Sequence, residues 1–233
     1  MMINVKGLTK QYKGVTVVNI AELNVEKGES FGLVGNNGAG KTTFFRMILD
    51  LVRPTTGEVL SKGTDVSKTE DWKYYTGSFL DESFLIDYLT PDEYFQFIAT
   101  LHDYSQGDLK EFLEQFEALF NGEIVGKNKY IRDLSKGNQK KVGIAAALMG
   151  RPEIILLDEP FANLDPTTQI RLKNLLKDWK EKHQLTMLIS SHDLNHVTEV
   201  CERIVLLEKG ELKQDIKTSS STLKDLEEYF AAY

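Results

Sequence analysis

Residues 35–42 read Gly35-Asn36-Asn37-Gly38-Ala39-Gly40-Lys41-Thr42, the spacing G-x-x-x-x-G-K-S/T that folds around the phosphates of a nucleoside triphosphate. Backbone N–H groups can wrap a triphosphate only where no Cβ obstructs the approach, so Gly35, Gly38 and Gly40 stand at the points of closest contact. Lys41 adds a full charge at the β- and γ-phosphates, and Thr42 offers a hydroxyl to Mg²⁺. Asn36, Asn37 and Ala39 complete the loop, and Thr43 extends it into the first turn of a helix running through Phe44, Phe45, Met47 and Leu49. That helix would aim its unpaired N–H groups and positive dipole end at the anion. A glycine turn before an ordinary helix would use the same residues. The run Ser30-Phe31-Gly32-Leu33-Val34 upstream has strand character, however, and strand, loop, helix is the order a phosphate loop requires.

A loop alone binds phosphate without hydrolysing it, so a metal ligand and a base for the attacking water are also needed. Asp158-Glu159 supplies both. The apolar run Ile154-Ile155-Leu156-Leu157 places the two carboxylates at the carboxyl end of a buried strand, the edge where ligands of open α/β sheets collect. Asp158 is expected to hold Mg²⁺ through water, and Glu159 to orient and deprotonate the nucleophile. Without the phosphate loop, the same pair would read as a solvated turn at a strand end.

The elements that must position these groups follow from periodicity and punctuation. Short β-like runs (2–5, 15–20, 30–34 and 57–60), separated by Lys27-Gly28-Glu29 and Pro54-Thr55-Thr56-Gly57, predict a strand-rich start. Residues 82–150 predict helices. Thr90-Pro91-Asp92-Glu93 joins a cap, a first-turn proline and a third-position glutamate, and Asp108 to Glu111 reads as a second capping box before Leu109, Phe112, Leu113, Phe116, Leu119 and Phe120. Beyond Pro152 a strand (153–157), a helix from Asp165-Pro166 through Ile170, Leu172, Leu175, Leu176 and Trp179, and a strand (186–190) alternate as in an α/β protein. Strands at 203–208 and 211–215 flank the Lys209-Gly210 turn, and 223–233 closes the chain as a helix.

Composition bounds the rest. The chain has 233 residues, of which 41% are apolar, enough for a sizeable core. Its 28 basic and 35 acidic residues give a net charge of −7 without long single-sign blocks, which argues against nucleic-acid binding through a broad basic face. The lone Cys201 suits a reducing compartment. The N-terminus carries no secretory signal, and no apolar stretch reaches the roughly 18 residues that span a bilayer, so any membrane connection is expected to go through another polypeptide.

In this order the motifs resemble those of the ATP-binding cassette ATPases, and the resemblance covers nearly the whole chain. Leu134-Ser135-Lys136-Gly137-Asn138 is similar to the signature usually written LSGGQ, with Lys136 for the first glycine and Asn138 for the glutamine. Asn163-Leu164-Asp165 resembles the D-loop, His192 in Ser191-His192-Asp193 the switch histidine, and Tyr12 the aromatic that stacks on adenine. The resemblance implies an α/β P-loop core with a mixed sheet, an antiparallel N-terminal β part and an inserted helical subdomain. Residues 1–80 and 151–215 would form the core, 82–150 the signature subdomain, and 216–233 a linker and helix, all in one domain. It also implies ATP and Mg²⁺ as ligands, with Lys41, Glu159 and His192 as the catalytic groups. ATP would be held between the P-loop of one subunit and the signature of another, in a homodimer or heterodimer that works at the inner face of the cell membrane through a transmembrane permease subunit.

Asp81, in the segment Thr76 to Glu82, stands where the family usually has a glutamine after a strand. Aspartate only accepts hydrogen bonds and carries charge, so it either joins Thr42 and Asp158 at the metal or belongs to the mobile link toward the helices. This acidic start and the run through Phe84, Leu85, Tyr88 and Glu93 are similar to cassettes of the polyketide, polyether and lantibiotic exporter type. Export is therefore expected over import. A non-transport cassette serving soluble assembly or regulation is the alternative, and a P-loop kinase would leave Leu134 to Gly137 and His192 without a role.

Overall fold

The computed structural model describes residues 1–231, and two sheets organise it. The N-terminal sheet is antiparallel and built from β1 (Ile3–Tyr12), β2 (Val15–Val25), β4 (Thr56–Ser61) and β5 (Thr64–Asp65) in the order β2-β1-β4-β5. β1 and β2 reach 10 and 11 residues, well past the predicted runs 2–5 and 15–20, because pairing from Ile3↔Val25 to Tyr12↔Val15 carries the polar segments along with the apolar ones.

The main sheet has six strands in the order β10-β9-β3-β8-β7-β6. These are β3 (Ser30–Val34), β6 (Thr76–Phe79), β7 (Ile154–Asp158), β8 (Thr186–Ser191), β9 (Arg203–Glu208) and β10 (Glu211–Lys217). β10 is the antiparallel edge on an otherwise parallel ladder, so the sheet is mixed. The turn joining β9 and β10 puts Lys209 at φ 48° and Gly210 at φ 83°, both left-handed, as a two-residue hairpin loop requires.

Side chains of the central strands alternate between two cores. Phe31, Leu33, Ile154, Leu156, Leu188, Val205 and Leu207 face the antiparallel sheet and α1 (Lys41–Ile48), whose Phe44, Phe45 and Met47 are buried among them. Burying each such side chain stabilises the fold by about 1.5–3 kcal/mol. Val34, Ile155, Leu157, Met187, Ile189, Ile204 and Leu206 face the other way, toward the remaining helices.

Between β6 and β7 the chain forms α2 (Pro91–Leu101), α3 (Gln106–Glu114), α4 (Glu117–Phe120) and α5 (Lys136–Leu148), with no strand among them. Thr90 caps α2 in a full capping box with Glu93. The second box is shifted from its expected place. Ser105 is the cap and Asp108 its third-position partner, so the helix starts three residues earlier than predicted, because a hydroxyl can both accept from an N–H and pair with the carboxylate. The apolar run after it is broken at Phe116, where α3 gives way to α4.

α6 (Pro166–His183) begins at the expected Asp165 cap, but Ile170 is 58% exposed while Leu172, Leu176 and Trp179 fill the core. α7 (Leu194–Val200) was not foreseen. α8 (Thr222–Ala231) starts one residue before the predicted helix, whose last two residues, 232–233, lie outside those described.

Candidate functional site

The loop from Gly35 to Gly40 joins β3 to α1, so the carboxyl end of a central strand feeds directly into a helix N-terminus. Two glycines are dictated by the space around them. A Cβ on Gly35 would strike the carbonyl oxygen of Leu207, and Gly40 sits at φ 108°, where a Cβ would lie 2.6 Å from Val17 O. The loop is tied to the β9–β10 hairpin by the Gly210 N–H, which donates to Ala39 O at 2.9 Å. No side chain caps α1, so its first-turn N–H groups are left for an external anion. Asn37, Gly38, Ala39, Gly40, Lys41, Thr42 and Thr43 line an open cleft of about 230 Å³ together with Val17 and Glu159.

Lys41 is buried, and its ammonium donates to Gly35 O at 2.6 Å and lies 3.4 Å from Glu159 Oε1. Thr42 Oγ1 donates to Asp158 Oδ2 at 2.5 Å, and Ser190 Oγ donates to the other carboxylate oxygen. Burial pushes the Asp158 carboxyl above the usual aspartate range, against the downward pull of the Ser190 and Thr42 hydroxyls. A hydroxyl touching a carboxylate is an oxygen-only donor pair that suits Mg²⁺. Among the described residues no cluster of three or more His, Cys, Asp or Glu side chains forms.

Glu159 follows at φ 48°, a left-handed conformation that costs a non-glycine residue about 1–3 kcal/mol. Its N–H donates to Ser190 O at 3.2 Å and to Ser190 Oγ at 3.1 Å. This twist turns its side chain toward the cleft. Oε2 lies 2.9 Å from His192 Nδ1 and 3.5 Å from Ser191 Oγ, whereas Oε1 is buried with no hydrogen-bond partner among the described residues. A carboxylate with one oxygen held by an imidazole and the other facing the Lys41 ammonium at 3.4 Å, without a hydrogen bond of its own, can accept a proton from water or orient it.

The other sequence candidates lie elsewhere. Ser135 caps α5 by accepting from the Asn138 N–H at 3.2 Å, and Lys136 is 67% exposed with only Glu82 near it, at 3.9 Å. Leu134 is buried, and Gly137 packs against the backbone of Asn163 and the side chain of Leu164 in the same chain. Asp165 caps α6. None of residues 134–138 lines the P-loop cleft. Tyr12 is about half exposed at the end of β1, with Lys10 Nζ 5.0 Å from its ring, and it too lies outside the cleft lining. Asp81 accepts from the Ser83 N–H at 2.8 Å and pairs with Arg46 of α1 at 3.6 Å.

Sequence reasoning missed Ser190, Arg46 and Lys140. Ser190 could have been suspected from its place beside the Ser191-His192 pair at the end of a buried strand. Arg46 and Lys140 gave no signal beyond a charged residue in a helical register.

A strand-to-helix phosphate loop, paired carboxylates at the end of β7 one strand removed from β3, and a separately capped signature helix define an ATP-hydrolysing cassette. The chain belongs to the ABC transporter family, whose model matches residues 18–162. It is 36% identical over 223 residues to the bacitracin transport ATP-binding protein BcrA of Enterococcus faecalis, covering 94% of this chain and 70% of that protein. It is 32% identical to the methionine import ATP-binding protein MetN of Carboxydothermus hydrogenoformans, covering 92% of this chain and 66% of that one. Among solved structures it is similar to the dimeric post-hydrolysis ATP-binding cassette MJ0796 bound to ADP and Pi. There the TM-score is 0.83 and the identity 28%, over 94% of this chain and all of that one. This chain is accordingly an ATP-binding subunit of a transporter, and an ATPase.

Proposed function

We propose that two such chains, identical or related, clamp ATP head to tail, and that closure and reopening drive a separate transmembrane subunit to move its solute outward. Residues 1–80 and 151–215 act as the nucleotide core, 82–150 as the signature subdomain and 216–233 as a linker and helix. Gly35 to Thr43 hold the triphosphate, Tyr12 meets the base, and Thr42 and Asp158 hold Mg²⁺, which when bound neutralises charge on the β- and γ-phosphates. Glu159 serves as base, with His192 fixing its carboxylate. Leu134 to Asn138 and the Asn163-Leu164-Asp165 segment reach the nucleotide of the partner.

The observation that carries the reading is the separation in one chain of two helix starts, each able to meet an anion. One is lined with Lys41 and the strand-end acids, and the other, at Ser135, is exposed and outside that cleft. Two copies related head to tail would bring unlike starts together. The similar cassette MJ0796 is dimeric with ADP and Pi bound, which supports dimerisation.

Membrane coupling is supported by a groove of about 240 Å³ between β6, α2 and α5, rimmed by the exposed Tyr74, Phe84 and Leu101. Leu85, in the same run as Phe84 and Tyr88, is buried and packs the core beneath this surface. Among the described residues no helix is long and apolar enough to cross a membrane, so the chain would work at the inner membrane face through its partner. Outward transport is supported by the acidic Asp81-Glu82 segment and by the likeness to a bacitracin transport protein.

The test is Glu159→Gln with saturating Mg-ATP. Hydrolysis should fall by about 10²–10⁴-fold and a dimer should accumulate in light scattering. A variant that stays monomeric ends the clamp model. Trapping it in native membranes and identifying what co-purifies then separates transport, which requires a polytopic partner, from soluble assembly or regulation.

A further inference from the structure

α5 is buried along nearly its whole length, including three consecutive polar residues, Gln139, Lys140 and Lys141. A buried cation persists only where its protons find acceptors. Gln139 caps Ile131 O and Leu134 O, and Lys141 pairs with Glu123, so these two hold the signature segment to its own subdomain. Lys140 does something different. It is 4% exposed, and its Nζ crosses to the segment after β7, donating to Glu159 O at 2.7 Å and to Ala162 O at 2.8 Å. Burial pushes the Lys140 ammonium below the usual lysine value, and the negative charges of Glu82, Glu159 and Asp158 offset only part of that.

The segment it grips is bounded by two left-handed residues, Glu159 at φ 48° and Asn163 at φ 62°. Within it the chain's own backbone supplies only one bond, a 3.3 Å contact from the Ala162 N–H to Glu159 O. Such a conformation in non-glycine residues persists where surrounding groups over-determine it. Ser190 fixes the N–H side of Glu159, and Lys140 fixes the carbonyl side.

We infer that Lys140 is a positioning residue for hydrolysis: its ammonium, carried on the signature helix, clamps the carbonyls of Glu159 and Ala162 and so sets the aim of the Glu159 carboxylate. Ser135, which caps the same helix, lies five residues upstream, so any tilt of the signature end is passed through Lys140 to the base of the chain's own site. A signature helix seated on a partner's nucleotide would in this way report to the glutamate of the neighbouring site. The inference rests on the assignment of Glu159 as the base, and the experiment keeps the two apart.

The experiment compares the full chain with Lys140→Met, Lys140→Arg and Glu159→Gln in Mg-ATP, with Lys140→Gln in reserve should the Met variant not fold. Lys140→Met should lower kcat at least about tenfold, as expected when a reacting group is displaced, while KM for ATP stays within about twofold. Lys140→Arg, which still presents donors to two carbonyls, should recover most of the rate. Amide hydrogen exchange without nucleotide should rise in 159–163 of Lys140→Met and stay unchanged in 154–158 and along α5. If Glu159→Gln abolishes hydrolysis but Lys140→Met keeps the parental kcat and exchange pattern, the inference fails and the base assignment stands. It fails equally if the loss comes with faster exchange throughout α5 and β7 and no recovery by arginine, since Lys140 would then be only a packing residue. Parental hydrolysis by Glu159→Gln overturns the base assignment itself, and the inference with it.

Discussion

Two lysines sit at the start of two helices, and their surroundings differ completely. Lys41 on α1 is 6% exposed, bonded to Gly35 O and facing Glu159, whereas Lys136 on α5 is 67% exposed with one distant partner. The first corner is finished within the chain, since loop glycines, strand-end acids and the β9–β10 hairpin all bear on it. The second is finished only as far as its cap. A prebuilt anion cradle beside a half-dressed one means that binding affinity should live in the first corner, and any dependence on a second copy in the other.

The largest test of this contrast is Lys41→Met against Lys136→Met. Removing a hydrogen-bonded charge that faces the cleft should cost about 2–3 kcal/mol of ATP binding, roughly a 30- to 160-fold loss by titration calorimetry. Lys136→Met should leave binding to the single chain within about twofold. Equal losses would make the two corners equivalent and break the comparison.

Next in size is Gly40→Ala, which forces a left-handed alanine against Val17 O and should lower unfolding stability by about 1–3 kcal/mol in a denaturant titration. Lys136→Ala, which removes an exposed pair, should change stability by less than about 0.5 kcal/mol.

A pH titration sharpens the contrast at the level of whole regions. Burial holds His102, His183 and His196 below the usual histidine value of 6.5, so the folded chain keeps them neutral more readily than the unfolded chain does. The stability they contribute is full above pH 6.5 and is lost as pH falls through that value toward their folded pKa values. All three lie on the helical side of the main sheet, so between pH 7.5 and 5.5 amide exchange should rise there before it rises around the P-loop. His102→Phe should flatten part of the slope, and a slope unchanged by it would remove His102 from the effect.

The smallest effect concerns Asp81. Because Arg46 answers its charge, Asp81→Asn should leave the Mg²⁺ concentration for half-maximal ATPase unchanged and cost under about 1 kcal/mol of stability. A shifted Mg²⁺ dependence would restore Asp81 to the metal shell.

The legible parts of the sequence were those where chemistry and local conformation demand the same residues in one short stretch. Gly35 to Thr42 is such a stretch, as are the apolar strand before Asp158-Glu159 and the Thr90 and Asp165 caps. The Ser105 cap was misplaced because Asp108 is also a good capping type, and only the backbone geometry chooses between them. Extension of β1 and β2 past their apolar cores was hidden for a related reason. Cross-strand pairing satisfies polar positions that show no hydrophobic signal of their own.

By itself, then, the sequence determined where the phosphate-loop spacing falls and that two acids end a buried strand, because local spacing fixes both. Only the tertiary structure decided which charges meet. It gave Asp81 to Arg46, placed Ser190 on both Asp158 and Glu159, and brought Lys140 across to the carbonyls that follow the catalytic strand. Those pairings join residues 19 to 35 positions apart, and no local pattern encodes them. They arise where helices and strands pack and a buried charge must find its acceptors.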